Sequence, residues 1–123
     1  MILLLTALAG GLGGALRFLV DTGVSRVNRL SVPMGTTVIN VSACFLLGFL
    51  NGIVANHVGP ESLASIAGTG LMGGYSTFST ASVEGVRLIR ARRYATALAH
   101  SGGMLALSFL AALLGLLGAG LVA

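Results

Sequence analysis

The residues best suited to chemistry in this chain are hydroxyls and amides. The stretch "GGYSTFSTASVE", Gly73 to Glu84, places Ser76, Thr77, Ser79 and Thr80 just after two glycines, with one ring, Phe78, among them. Asn40 and Asn51 stand eleven residues apart, close to three helical turns, and so share a face. Hydroxyl and amide protons can replace the water around an anion, and carbonyls released from a helix can hold a cation. Enzyme patterns are missing: no phosphate-binding loop, no cluster of metal ligands and no nucleophile beside a base occurs. "GGLGG" lies in an apolar run with no strand before it and is not a dinucleotide fingerprint.

The elements that position these groups follow from where charge is absent. Only 8% of the 123 residues are charged and 55% are hydrophobic, against about 25% charged in soluble domains. Such a chain cannot cover itself with a water-facing surface, and the class is an integral membrane protein. No Asp, Glu, Lys or Arg stands between Arg29 and Glu61, between Glu61 and Glu84, or after Arg93. Each run supplies the ~20 apolar residues of a spanning helix, and residues 2–20 supply a fourth. The reading is one four-helix transmembrane domain over 1–123, all-α, with helices at about 2–20, 33–56, 62–84 and 94–121. Pro33 suits a first helical turn, and Gly59-Pro60 marks the link between the second and third helices. The first apolar run has no basic residues ahead of it and is read as a retained helix, not a cleaved signal.

All 7 basic residues are arginines, and all fall in or beside the first and third links: Arg17, Arg26 and Arg29, then Arg87, Arg90, Arg92 and Arg93. Basic residues near helix ends favour the cytoplasm. The pattern predicts one orientation in the cell membrane, with arginine-rich loops inside and both termini outside. Nothing in it suggests nucleic acid, since basic–aromatic clusters are missing. Cys44, the one cysteine, reads as a small packing residue.

Small residues recur four apart at Gly10/Gly14, Gly48/Gly52 and Gly70/Gly74. Such pairs let helix backbones approach closely in lipid; three of them predict tight packing and an oligomer. Polar groups within a span need partners or water. For Asn40 the spacing leaves both an interhelical hydrogen bond and a place on an ion pathway open. Asn51 reads as glue or interface solvation. In the third span Gly73-Gly74 permits an unwound turn, and its coincidence with the hydroxyl cluster points to a functional break. Arg17 reads as snorkelling to the interface, Glu84 as an ion-pair partner of Arg17 or Arg87, and His100 as a satisfied interior histidine.

Three segments together resemble the Fluc, or CrcB, family of small fluoride channels: "GGLGGALRF" (10–18), "PMGTTVINVSACFLLG" (33–48) and "GGYSTFSTASVE" (73–84). The resemblance implies two four-helix subunits packed antiparallel, with helix breaks crossing at the dimer centre. There the carbonyls of Gly73 and Ser76 would hold a structural sodium ion. It also implies an anion pathway lined by Asn40, Phe78, Ser79 and Thr80, with Arg17 near the vestibule and Ser108 on the fourth helix. The function implied is passive export of fluoride, giving fluoride resistance. The family's usual second Phe is replaced by Ala81, His100 stands where a Tyr is common, and Met104 where a small polar residue is common. With the one-sided charge pattern, these departures predict a heterodimer with a homologous subunit of opposite orientation. A small multidrug exporter, the rival reading, needs an embedded carboxylate that residues 2–20 lack; a second rival is a non-conducting assembly subunit.

Overall fold

The computed structural model describes residues 1–30 and 32–122. They form helices and turns without a strand. In chain order these are α1 (Ile2–Val27), α2 (Gly35–Ala55), α3 (Glu61–Leu63), a π-helical stretch (Ala64–Met72), α4 (Gly73–Tyr75), α5 (Ser79–Arg90) and α6 (Tyr94–Val122). The segments from α3 to α5 make up the third span, which runs unbroken from 61 to 75 and then resumes at Ser79. Three helices, α1, α2 and α6, are long and apolar enough to cross a membrane.

The first helix runs seven residues beyond its expected end, because Asn28 and not Arg17 stops it. The Asn28 N–H donates to Val24 O, its Oδ1 accepts the Leu30 N–H, and its Nδ2 donates to Val32 O. One side chain thus ends the helix and folds the link back, as Asn does in turns. Asp21 is therefore a residue of α1. Pro33 lies ahead of α2, whose first residue is Gly35; the expected proline in the first turn is corrected by two residues. The reversal after α2 uses His57 in the left-handed region (φ 58°), with Val58 N–H on Ile53 O closing the helix end. Pro60 then leads into α3.

The glycine pairs do their work within the chain. α1 packs on the π-helical stretch and α4, and α2 packs along α6. At Gly74 the backbone meets Gly10 O, and at Gly13 it meets Leu71 O and Tyr75 N, so that an added Cβ would collide at either. Gly48 faces the Ala112 carbonyl and Gly115 faces that of Phe45 in the same manner. These seams bring backbones together as small residues do in membranes, and they are complete inside one subunit. They therefore meet the expected tight packing within the chain and neither support nor oppose the expected oligomer. Between the seams, Ile39, Ala43, Met72 and Tyr75 form the buried centre, with Val20, Leu47 and Leu71 against it. Leu3, Leu8, Leu12 and Phe18 of α1, and Leu98, Leu105, Leu110 and Leu117 of α6, are exposed, as a lipid-facing surface requires.

Candidate functional site

The break in the third span consists of Ser76, Thr77 and Phe78, not of the two glycines. Gly73 and Gly74 keep helical geometry in α4, and the chain leaves the helix at Ser76, whose ψ of 162° is extended. Gly74 is a glycine because α1 touches it there. The unwound turn is held by something else: a side chain from α2.

Asn40 supplies that hold. Its Nδ2 donates to Thr77 O at 2.8 Å and its Oδ1 accepts the Thr77 N–H at 2.9 Å. The amide thus offers one peptide the same donor–acceptor pair that a neighbouring strand would. A second Nδ2 proton reaches Met104 Sδ at 3.3 Å. In an uninterrupted helix Thr77 N–H would close on Gly73 O; here it goes to Asn40. Three residues on, Thr80 N–H would close on Ser76 O, and it goes to Thr77 Oγ1 at 3.2 Å. The carbonyls of Gly73 and Ser76 have lost those i→i+4 donors, and they are the two that the resemblance assigns to a cation. Oxygen carbonyls suit a hard cation, and nothing in the chain lies within 4 Å of where a Gly73 Cβ would stand.

The hydroxyls of Ser79 and Thr80 gather on that of Thr77. The Thr77 hydroxyl donates to Thr80 Oγ1 at 3.2 Å and lies 3.4 Å from Ser79 Oγ. With the Thr80 N–H it caps the first turn of α5, as a Thr commonly does. Ser82 Oγ donates back to Phe78 O at 2.9 Å. Thr77 is buried, whereas Phe78 is 86% exposed and Ser79 and Thr80 are also exposed.

Two hollows flank the break. One, of about 400 Å³, is bounded by Asn40, Phe78, Ala81, Met104 and Ser108 among others. The second, of about 380 Å³, lies on the α1 side and is lined by Arg17, Asp21, Thr36, Ser79 and Thr80 together with Phe18. The expected pathway residues are thus divided: Asn40, Phe78 and Ser108 on one side, Arg17, Ser79 and Thr80 on the other. Ser76 opens the break and lines the Asn40 hollow, and Gly73 lies three residues before it in α4.

Several residues behave otherwise than expected. Among the described residues Glu84 makes no ion pair with Arg17 or Arg87, and its Oε1 has no hydrogen-bond partner. Glu84 is buried, in the turn whose Gly85 packs toward Ser101 Oγ, while Arg87 is exposed and Arg17 lines the far hollow. His100 is interior as expected but is not satisfied, since its Nε2 lacks a partner. Asn51 is exposed and bonds to Leu47 O of its own helix, so of its two expected roles it shows solvation and not interhelical glue.

Two polar contacts were not read from the sequence. Ser42 Oγ lies 2.9 Å from Tyr75 OH, tying α2 to α4 beside the break. The Asp21 carboxylate packs on Gly35, where a side chain would displace it. Asp21 follows Arg17 by four residues, and this i,i+4 spacing was the available signal that both face one hollow.

Comparison with known proteins gives a consistent result. The CrcB-like protein (camphor resistance) family model matches residues 4–116. A fluoride-specific ion channel FluC 1 from Leifsonia xyli is 44% identical over 116 residues, 94% of this chain and 85% of its own length. A FluC 2 from Cutibacterium acnes is 43% identical over 117 residues, 94% of this chain and 95% of its own. A FluC 2 from Mycobacterium tuberculosis is 44% identical over 108 residues, covering 88% and 82%.

Proposed function

The chain belongs to the CrcB family, and from that premise we propose that it is one subunit of a fluoride-selective channel. It is a multi-pass membrane protein, working as a passive exit for fluoride in an antiparallel dimer. The observation that carries this reading is the break clamped by Asn40, with a cluster of hydroxyls and an exposed phenyl beside it.

The exposure of those groups supports a partner. Irregular backbone at membrane depth persists only when covered by protein or lining a water-filled path. Here Gly73, Phe78, Ser79 and Thr80 are all exposed on the isolated chain. A second subunit over this face covers the peptides and brings its own break alongside. Two released carbonyls from each subunit then surround one central site. A sodium ion held there by Gly73 and Ser76 would supply positive charge that fixes the crossing of the two breaks.

Fluoride binds water tightly, and its passage needs donors that replace that water. Thr80 and Ser79 offer hydroxyl protons at the mouth of the α1-side hollow, and Arg17 supplies positive charge that draws anions to it. Phe78 offers the positive edge of its ring, a contact that favours an anion without trapping it. Ser108 offers a hydroxyl in the other hollow. An inside-negative potential adds about 2.3 kcal/mol per charge per 100 mV toward anion exit. Hydrogen fluoride enters cells as the neutral acid and dissociates inside, so an anion exit lowers the internal load.

The partner is a homologous chain of opposite orientation. Six of the seven arginines lie in or within a turn of the two links on one side, with Arg17 further inside α1, and this bias favours those links in the cytoplasm and the termini outside. The relatives carry the numbers 1, 2 and 3 in their names, as members of sets do. The position of Ala81 in the Asn40 hollow is a place where a ring from the family pattern is missing. The test is flux from liposomes, read with a fluoride electrode against a chloride control. The chain with its homologous partner passes fluoride and not chloride, and the chain alone is silent. Lack of fluoride flux from the pair removes the channel reading, and robust flux from the chain alone removes the heterodimer.

A further inference from the structure

Met104 occupies a place that nothing about the pathway so far explains. It is 7% exposed and lies on α6. Its sulfur accepts the second amide proton of Asn40 at 3.3 Å. With Thr77 O on the other proton and Thr77 N–H on Oδ1, Asn40 has no donor left for an anion. A thioether is a weak acceptor, so the donor is parked and not firmly engaged.

Met104 is also a wall. It lines the Asn40 hollow and, on its other side, a smaller hollow of about 220 Å³ bounded by Thr37, Thr96 and His100. His100 in that second hollow has an Nε2 without a partner and is 7% exposed. A polar atom therefore waits on each side of one flexible, unbranched side chain. Methionine adapts its three rotatable bonds to such gaps more readily than branched residues do.

We propose that Met104 is a displaceable gate for the anion on the Asn40 side of the break. In the ion-free state its sulfur takes the Asn40 N–H. An arriving fluoride, a far stronger acceptor, receives the hydrogen bond of that N–H instead, and the thioether swings aside and joins the two hollows past His100. The exchange matches what conduction requires: a donor strong enough to admit the ion and a competitor present to help it leave. Met104 acts through Asn40 and is a positioning residue. The proposal rests on the fluoride-pathway reading above.

The test uses the full chain in liposomes, with its homologous partner subunit where flux requires one, and compares two variants of similar volume. Met104→Leu removes the acceptor and leaves the Asn40 proton unclaimed. The fluoride concentration for half-maximal flux falls about fivefold, the equivalent of one typical net hydrogen bond. Met104→Gln installs a stronger acceptor, and half-saturation rises. Opposite shifts mark a donor competition; a merely structural role would impair both variants alike, and that result, or no shift in either, overturns the proposal. A second measurement needs no variant. In protein carrying ¹³C-methyl methionine, the Met104 methyl signal moves on titration with fluoride and stays still with chloride. A methyl that ignores fluoride while wild-type flux is intact overturns the gate but leaves the channel. Missing wild-type flux removes the channel reading instead.

Discussion

Replacing Asn40 by Ala tests whether one side chain holds the break open. The substitution deletes the donor at 2.8 Å from Thr77 O and the acceptor at 2.9 Å from Thr77 N. Thr77 is 8% exposed, so both of its peptide groups become orphans. Leaving a buried polar group unpaired costs about 1–3 kcal/mol, and two give roughly 2–6 kcal/mol. The adjoining hollow of about 400 Å³ is roomy enough for water, which reduces the loss to its lower end, about 2 kcal/mol. At 1.4 kcal/mol per factor of ten that is about a thirtyfold shift in the conformational balance of the break. The direct assay is hydrogen exchange at the Thr77 amide, which quickens by about that factor while amides of α2 and α6 keep their protection. Fluoride flux falls with it. Unchanged exchange at Thr77 in a folded Asn40→Ala protein would refute the clamp, whatever happened to flux.

Other expectations are sharper about direction than size. Gly74→Val forces a side chain into the Gly10 backbone, which cannot yield as a flexible side chain would, so the variant fails to give a monodisperse folded protein on size exclusion. Gly73→Ala meets nothing within the chain; it leaves unfolding of the subunit unchanged and weakens subunit association, read by cross-linking in liposomes. Phe78→Ile alters a ring that is 86% exposed, so the unfolding midpoint moves within about 0.5 kcal/mol while fluoride flux drops. Thr77→Val removes the Oγ1 acceptor of the Thr80 N–H, costs about 1 kcal/mol as a lost cap, and frays the first turn of α5 in hydrogen exchange.

The fold was legible to the extent that lipid enforces it. Runs without charge mark spans because nothing else tolerates them, and the four helices fall where those runs do. Helix ends were less legible, because local chemistry sets them. The apolar run put the first end at about residue 20, yet α1 continues to Val27 until Asn28 supplies the competing hydrogen bonds. The break was placed three residues early for a similar reason. Glycine permits an unwound turn, but permission is no cause; Gly74 is small because α1 presses on it, and the turn opens where Asn40 outbids the helix for the Thr77 peptide.

Pairing between polar residues is the part that spacing withholds. Asn40 stood as either glue or pathway because a single chain of letters shows the demand of an amide for partners and not who meets it. The structure shows Asn40 joining α2 to the break, and this is compatible with the proposed pathway role. Two of its three contacts fix the break, and the third, to Met104 Sδ, is long and weak. An amide held rigid by two strong bonds presents its remaining proton in a fixed direction, and such preorganisation is what lets a donor replace water without reorganising at each passage. In the proposed channel, glue is then the condition for pathway. The same logic separates Glu84 from Asn40: both are polar and interior, but Glu84 Oε1 has no partner to fix it, so it has no comparable direction to offer an ion.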